Sequence, residues 1–170
     1  AKPRDAFAVI VGPAHFNGLA GEGFSGFKLV ARPERMNRFR TYIKAEAAVF
    51  DNIDGWNSHS YPNPAFSGKE TDSGKGSIKS FDWELSYLES LGVKRQLPVF
   101  ITETGWSQEK LTDEEIANKY TYAFTNIWND GRVVAVTPFI LNYTTPPFTK
   151  FSWKREDGTY YGFYQKVVNL

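Results

Sequence analysis

The chain has no cysteine among its 170 residues. That excludes disulfides, thiolate metal sites and a cysteine nucleophile, and it leaves the compartment open. It has no apolar run near the roughly 18 residues of a membrane span, so no membrane span is expected. It has little excess charge: the net value is +1, which suggests neither a nucleic-acid partner nor an acidic tail. It also lacks a signal-peptide pattern, because no apolar stretch follows Ala1-Lys2-Pro3-Arg4-Asp5. A processed or truncated chain would read the same way, so a secreted or extracytoplasmic location stays open. No internal sequence repeat is evident.

What is present is ordinary globular chemistry with a surplus of rings. Hydrophobic residues make up 41% and charged residues 23%, enough for one domain with a real core. Aromatics reach 16%, with 5 Trp, 9 Tyr and 14 Phe, which is compatible with a large aromatic core or with faces that stack on sugars.

The most informative stretch is Leu97-Pro98-Val99-Phe100-Ile101-Thr102-Glu103-Thr104-Gly105-Trp106. It begins as a short apolar run, the pattern of a buried parallel strand, with Pro98 at its start. Period 2 places Val99, Ile101 and Glu103 on one face. A carboxylate on an aliphatic face is costly to bury unpaired. A carboxylate at the C-terminal end of a parallel strand is where α/β folds keep their chemistry.

The other segments supply the frame. Residues 6–11 read as a first strand, stopped by Gly12-Pro13-Ala14 and followed by His15 and Asn17. A helix follows Arg32-Pro33-Glu34, with Met36, Phe39, Tyr42, Ile43 and Ala47 at helical spacing. Residues 49–60 read as a second strand ending near His59 and Tyr61, and residues 67–80 as a long solvated loop. A helix runs on to Leu91, with Phe81, Leu85 and Leu88 on its apolar side, Trp83 a further candidate for it, and Gly92 past its end. After the Glu103 strand, Thr112-Asp113-Glu114-Glu115 is a capping box. It opens a helix carrying Ile116, Tyr120, Ala123, Phe124 and Ile127. Residues 132–141 read as a fourth strand followed by Asn142 and Tyr143, and residues 161–168 as a last short helix. Strand and helix alternate, so a parallel α/β chain is expected. The spacing suits a (β/α)8 TIM barrel with long loops.

Placed side by side, the strand ends offer His15 and Asn17, His59 and Tyr61, Glu103 and Trp106, then Asn142 and Tyr143. His15 and His59 make a poor metal pair, since no Asp or Glu joins them at ligand spacing, and no metal or cofactor is expected. Gly74-Lys75-Gly76-Ser77 lacks the strand before it and the helix directly after it that a phosphate loop needs. For Glu103 itself, a salt bridge to a strand-end Arg or Lys is the bland alternative.

Ile101-Thr102-Glu103-Thr104-Gly105-Trp106 resembles the nucleophile strand of the clan of retaining glycoside hydrolases built on (β/α)8 barrels, which includes endo-β-glucanases and galactanases. His59-Ser60-Tyr61 is similar to the end of that clan's strand six, Gly12-Pro13-Ala14 to the end of strand five, and Trp153 with Asp157-Gly158 to the tail after strand eight. The resemblance implies that Glu103 is the nucleophile, with Tyr61 and His59 beside it. It implies a carbohydrate substrate held by Trp106, Trp56, Trp153, His15, Asn17, Asn142 and Tyr143; for each tryptophan taken alone, packing in the core or a loop is at least as good a reading as sugar contact.

Two departures matter. The clan's acid/base glutamate follows an Asn at the end of strand four, and no Glu here follows an Asn. Strand eight, often marked by Trp, reads Phe139-Ile140-Leu141-Asn142. Residues 1–170 are therefore expected to be the C-terminal half of a glycosidase barrel, strands five to eight, inactive alone. Half a barrel leaves open edges, so an N-terminal half-barrel or a second copy of the chain is expected as partner. The alternative is a non-catalytic carbohydrate-binding or interaction protein on a degenerate barrel.

Overall fold

The computed structural model describes residues 47–170, together with residues 10, 11, 40, 41, 44 and 45. Four strands run parallel in the order β1-β2-β3-β4: Ile10–Val11, Gly55–His59, Val99–Glu103 and Val133–Val136. The last three are adjacent and full-length, while the two-residue β1 pairs with the outer side of β2. Among the described residues three α-helices are complete: α1 (Ser80–Ser90), α2 (Asp113–Tyr122) and α3 (Gly162–Val168). This is a mixed α/β fold around a parallel sheet.

The helices form where local chemistry asks for them. Thr112 accepts from the Glu115 amide and Glu115 reaches back to the Thr112 amide, so the expected capping box starts α2. Gly92 follows α1 at φ 101°, a left-handed position that suits glycine. α2 ends in a π-helical turn at Ala123–Ile127. Gly162 and Phe163 donate their amides to Asp113, so the first turn of α2 caps the start of α3.

All three helices lie on one side of the sheet. There Val99 and Ile101 of β3 meet Phe81 of α1, Ile116 and Tyr120 of α2 and Phe163 of α3. A second cluster packs Trp56 of β2 against Phe50, Leu88 and Leu97. The other side carries Asn57, Phe100 and Ala135 in register, and no described helix covers it. β4 is the edge strand, with Val134 59% exposed.

Three expected boundaries move. Residues 47–52 form a 3-10 helix, so the second strand begins only at Gly55. Phe50, the buried residue of that helix, packs against Trp56 at 6.5 Å. The fourth strand stops at Val136 and does not reach Leu141. Pro138 has no amide to give the ladder, and Ile140 leaves the sheet to exchange bonds with Phe151 and Trp153. The segment 67–80 is not a free solvated loop: Ile78 is fully buried, and Glu70 pairs with Lys119 of α2. Residues 6–9 and the helix expected after Arg32 lie outside the described residues, apart from positions 40, 41, 44 and 45, which are helical.

One polar contact sits under β2. Trp56 donates its indole N–H to Glu84 of α1 at 2.8 Å. Burial pushes the Glu84 carboxyl up to about 7, against the opposing effect of hydrogen bonds from Trp56 and Ser58. A raised folded value means the protonated form is favoured on folding. The stability it contributes is complete below an unfolded value of 4.5 and is lost as pH rises through about 7. The loss is roughly 3 kcal/mol. Glu84→Gln keeps an acceptor for Trp56 without the charge. Thermal melts should show it more stable than the parent at about pH 8 and nearly equal at about pH 4.5. Parallel Tm curves for the two proteins would contradict this.

Candidate active site

β2 ends on His59 and β3 on Glu103, and the two are register partners. They meet because of an irregularity. Ser58 pairs with Ile101, but the next pair is His59 with Glu103, so β3 contains one extra residue, Thr102. Bulges of this kind re-aim a side chain next to a site. Strict alternation puts Glu103 with Val99 and Ile101 under the helices. Instead its side chain is 31% exposed and stands beside His59.

Two groups converge on one oxygen of that carboxylate. The Tyr61 hydroxyl donates to Glu103 Oε2 at 3.2 Å. His59 Nδ1 lies 3.2 Å from the same Oε2. Glu103 Oε1 has no hydrogen-bond partner among the described residues, and none of their Lys or Arg side chains pairs with Glu103. The Tyr61 hydroxyl is held far above its ordinary range, first by burial and then by the charge and hydrogen bond of Glu103. It therefore stays a proton donor wherever the protein is folded.

Neighbouring residues fix the backbone on either side of Glu103. Thr102 Oγ1 donates to Asn57 Oδ1, and Thr104 Oγ1 donates to the Ser60 carbonyl at 2.7 Å. The residues on either side of Glu103 thus both tie β3 to β2. Gly105 follows at φ 145°, where a Cβ would meet Tyr120 Oη at 2.9 Å and Phe139 O at 3.2 Å. Around Tyr61, Phe66 packs edge to face at 5.2 Å and Phe151 at 6.4 Å. Sequence reasoning missed Thr102, Thr104 and Phe66 as site residues. The two threonines could have been noticed as the hydroxyls flanking Glu103; Phe66 lies in a loop with no periodicity to mark it.

The structure brings His59, Tyr61 and Glu103 into direct contact. It does not offer the expected sugar-stacking rings. Trp106 is 2% exposed, Trp56 2% and Trp153 7%. Trp106 turns into the core after Gly105, donating its N–H to Gly68 O at 2.9 Å and packing on Tyr120 at 5.0 Å. Trp153 packs on Tyr120 at 4.9 Å, and Trp56 lies under the sheet against Phe50. Apolar burial claims all three faces.

Asn142 and Tyr143 are exposed in the loop after β4 and make no direct hydrogen bond to the Glu103 cluster. Tyr143 instead lines an open groove of about 410 Å³ with Ser152, Lys154, Arg155, Asp157 and Tyr161. His15 and Asn17 lie outside the described residues. Among the described residues no three His, Asp or Glu side chains are grouped to hold a metal ion, and no helix is long and apolar enough to cross a membrane.

No protein-family model matches the chain, and no curated protein or solved structure matches it.

Proposed function

We propose that this chain carries the nucleophile of a retaining glycoside hydrolase and that its sheet is the C-terminal half, strands five to eight, of a (β/α)8 barrel. The observation that carries the reading is Glu103: a solvent-reachable carboxylate at the C-terminal end of a parallel strand, with Tyr61 and His59 on one oxygen and no cationic side chain among its described neighbours. A structural carboxylate would be expected to sit against an Arg or Lys. Among the described residues this one is supported by a neutral donor, with none of them bonded to its other oxygen.

In the double displacement, Glu103 Oε1 attacks the anomeric carbon as the glycosidic C–O bond breaks. An acid outside this chain's four strands protonates the leaving oxygen. The same residue then draws a proton from water, whose oxygen takes the anomeric carbon and returns Glu103 as carboxylate. Retention asks for roughly 5–5.5 Å between the two carboxyls. The acid/base comes from the N-terminal half of the barrel, or from a second copy of the chain. Tyr61, donating to Oε2, holds the carboxylate oriented for the attack. A purely carbohydrate-binding module would call for exposed rings, and the burial of Trp56, Trp106 and Trp153 weighs against that alternative.

The test is covalent. The whole protein is incubated with 2-fluoro β-glycosides bearing activated leaving groups, digested and analysed by mass spectrometry. A glycosyl ester on Glu103 is expected. An ester on a different carboxylate would remove the assignment.

A further inference from the structure

The segment after Tyr61 takes a backbone conformation that ordinary side chains avoid. Ala65 and Phe66 lie in succession in the left-handed region, at φ 53° and 57°. A bulky residue there is an outlier, and it persists only where the surroundings over-determine it. Here they do. The Ser107 amide donates to Phe66 O at 2.9 Å, the Trp106 indole donates to Gly68 O at 2.9 Å, and the Gly68 amide closes the loop on Pro62 O at 2.9 Å. Two of these three bonds come from residues just past Glu103. The loop that follows β2 and the end of β3 are therefore held as one unit.

For the turn alone, glycine or asparagine would serve at position 66 at lower cost. What phenylalanine adds is its ring. That ring stands edge to face on Tyr61 at 5.2 Å, and on Phe151 at 4.9 Å from the other side. Tyr61 carries its hydroxyl at the far end of a rigid ring. A small rotation about its Cα–Cβ bond would take the 3.2 Å contact with Glu103 out of hydrogen-bond range.

The geometry points to Phe66 as a positioning residue: its ring, delivered by left-handed backbone, fixes the Tyr61 ring so that the hydroxyl meets Glu103 Oε2. The consequence for turnover rests on the glycosidase reading; the contact itself does not. Phe66 acts through Tyr61, so its effect on catalysis disappears when Tyr61 has no hydroxyl.

The test is a double-mutant cycle on the whole protein, read by kinetics and by NMR of tyrosine isotope-labelled at Cζ. Phe66→Ala should lower kcat roughly tenfold or more with KM nearly unchanged, and Phe66→Tyr should restore it. In a Tyr61→Phe background, Phe66→Ala should have no further effect on kcat. A merely structural role would lower kcat equally in both backgrounds and would overturn the proposal. The Tyr61 resonance, identified by its loss in Tyr61→Phe, should move in Phe66→Ala and return in Phe66→Tyr; a resonance that stays in place overturns it too. This second reading needs no turnover, so an inactive parent protein would remove the glycosidase reading while Phe66 is still tested. Should Phe66→Ala not fold, Phe66→Leu keeps the volume without the ring edge, and the same two readings apply.

Discussion

Glu103→Gln in the whole protein is expected to cut glycoside turnover by on the order of 10³-fold or more while moving Tm by no more than a few degrees. The two halves of that result come from different physics. Glutamine has nearly the shape of glutamate, and its oxygen can still accept from the Tyr61 hydroxyl, so the local packing survives. On the proposed glycosidase reading, what it loses is the oxygen that attacks the anomeric carbon, and no covalent intermediate then forms. If Glu103 were structural, the order would reverse: stability would fall and turnover, whatever its source, would hold. Measuring kcat and Tm on one preparation therefore separates the two roles. Because the two contacts on Glu103 converge on Oε2, Tyr61→Phe should be milder than Glu103→Gln in kcat.

The second large effect concerns the core. Trp106→Ala should destabilise the protein by roughly 3–5 kcal/mol, the usual cost of removing a buried tryptophan. In a domain of this size that is roughly 10 °C or more in Tm. The indole is 2% exposed, packs on Tyr120 at 5.0 Å and on Trp128 at 6.3 Å, and holds Gly68 O by its N–H. Its removal empties a volume under the end of β3 and also frees the loop that carries Phe66. Had Trp106 been a sugar-stacking wall, the same substitution would raise KM and leave Tm nearly alone. Differential scanning calorimetry against Michaelis kinetics decides between these outcomes, and an unchanged Tm would contradict the packing described above.

Much of the frame was legible in order along the chain. The apolar run at Val99, the capping box at Thr112 and the terminating Gly92 each depend on neighbours within a few residues, and each holds in the structure. The contact between Tyr61 and Glu103 was anticipated from the resemblance to the glycosidase strand ends, and the structure has it at 3.2 Å. Of the two readings of the three tryptophans, core packing and sugar contact, the structure shows the first, and the sequence left them open for a plain reason. Whether an indole faces water or the core depends on what packs over it, and for Trp106 that is Tyr120 and Trp128, residues far along the chain. The end of β4 failed similarly: Ile140 is apolar enough for a strand, but its partners are Phe151 and Trp153.

The sequence by itself determined a parallel α/β chain, the cap that starts α2, and a glutamate at a strand end. Those follow from periodicity, local hydrogen bonding and residue type, which act over short separations. Only the tertiary structure decided which way Glu103 points. Period 2 put it under the helices with Val99 and Ile101. A single extra residue in β3, Thr102, turned it to stand with His59, and that shift exists only in the pairing of β3 with β2. Register is a relation between two strands, and no reading of one strand contains it.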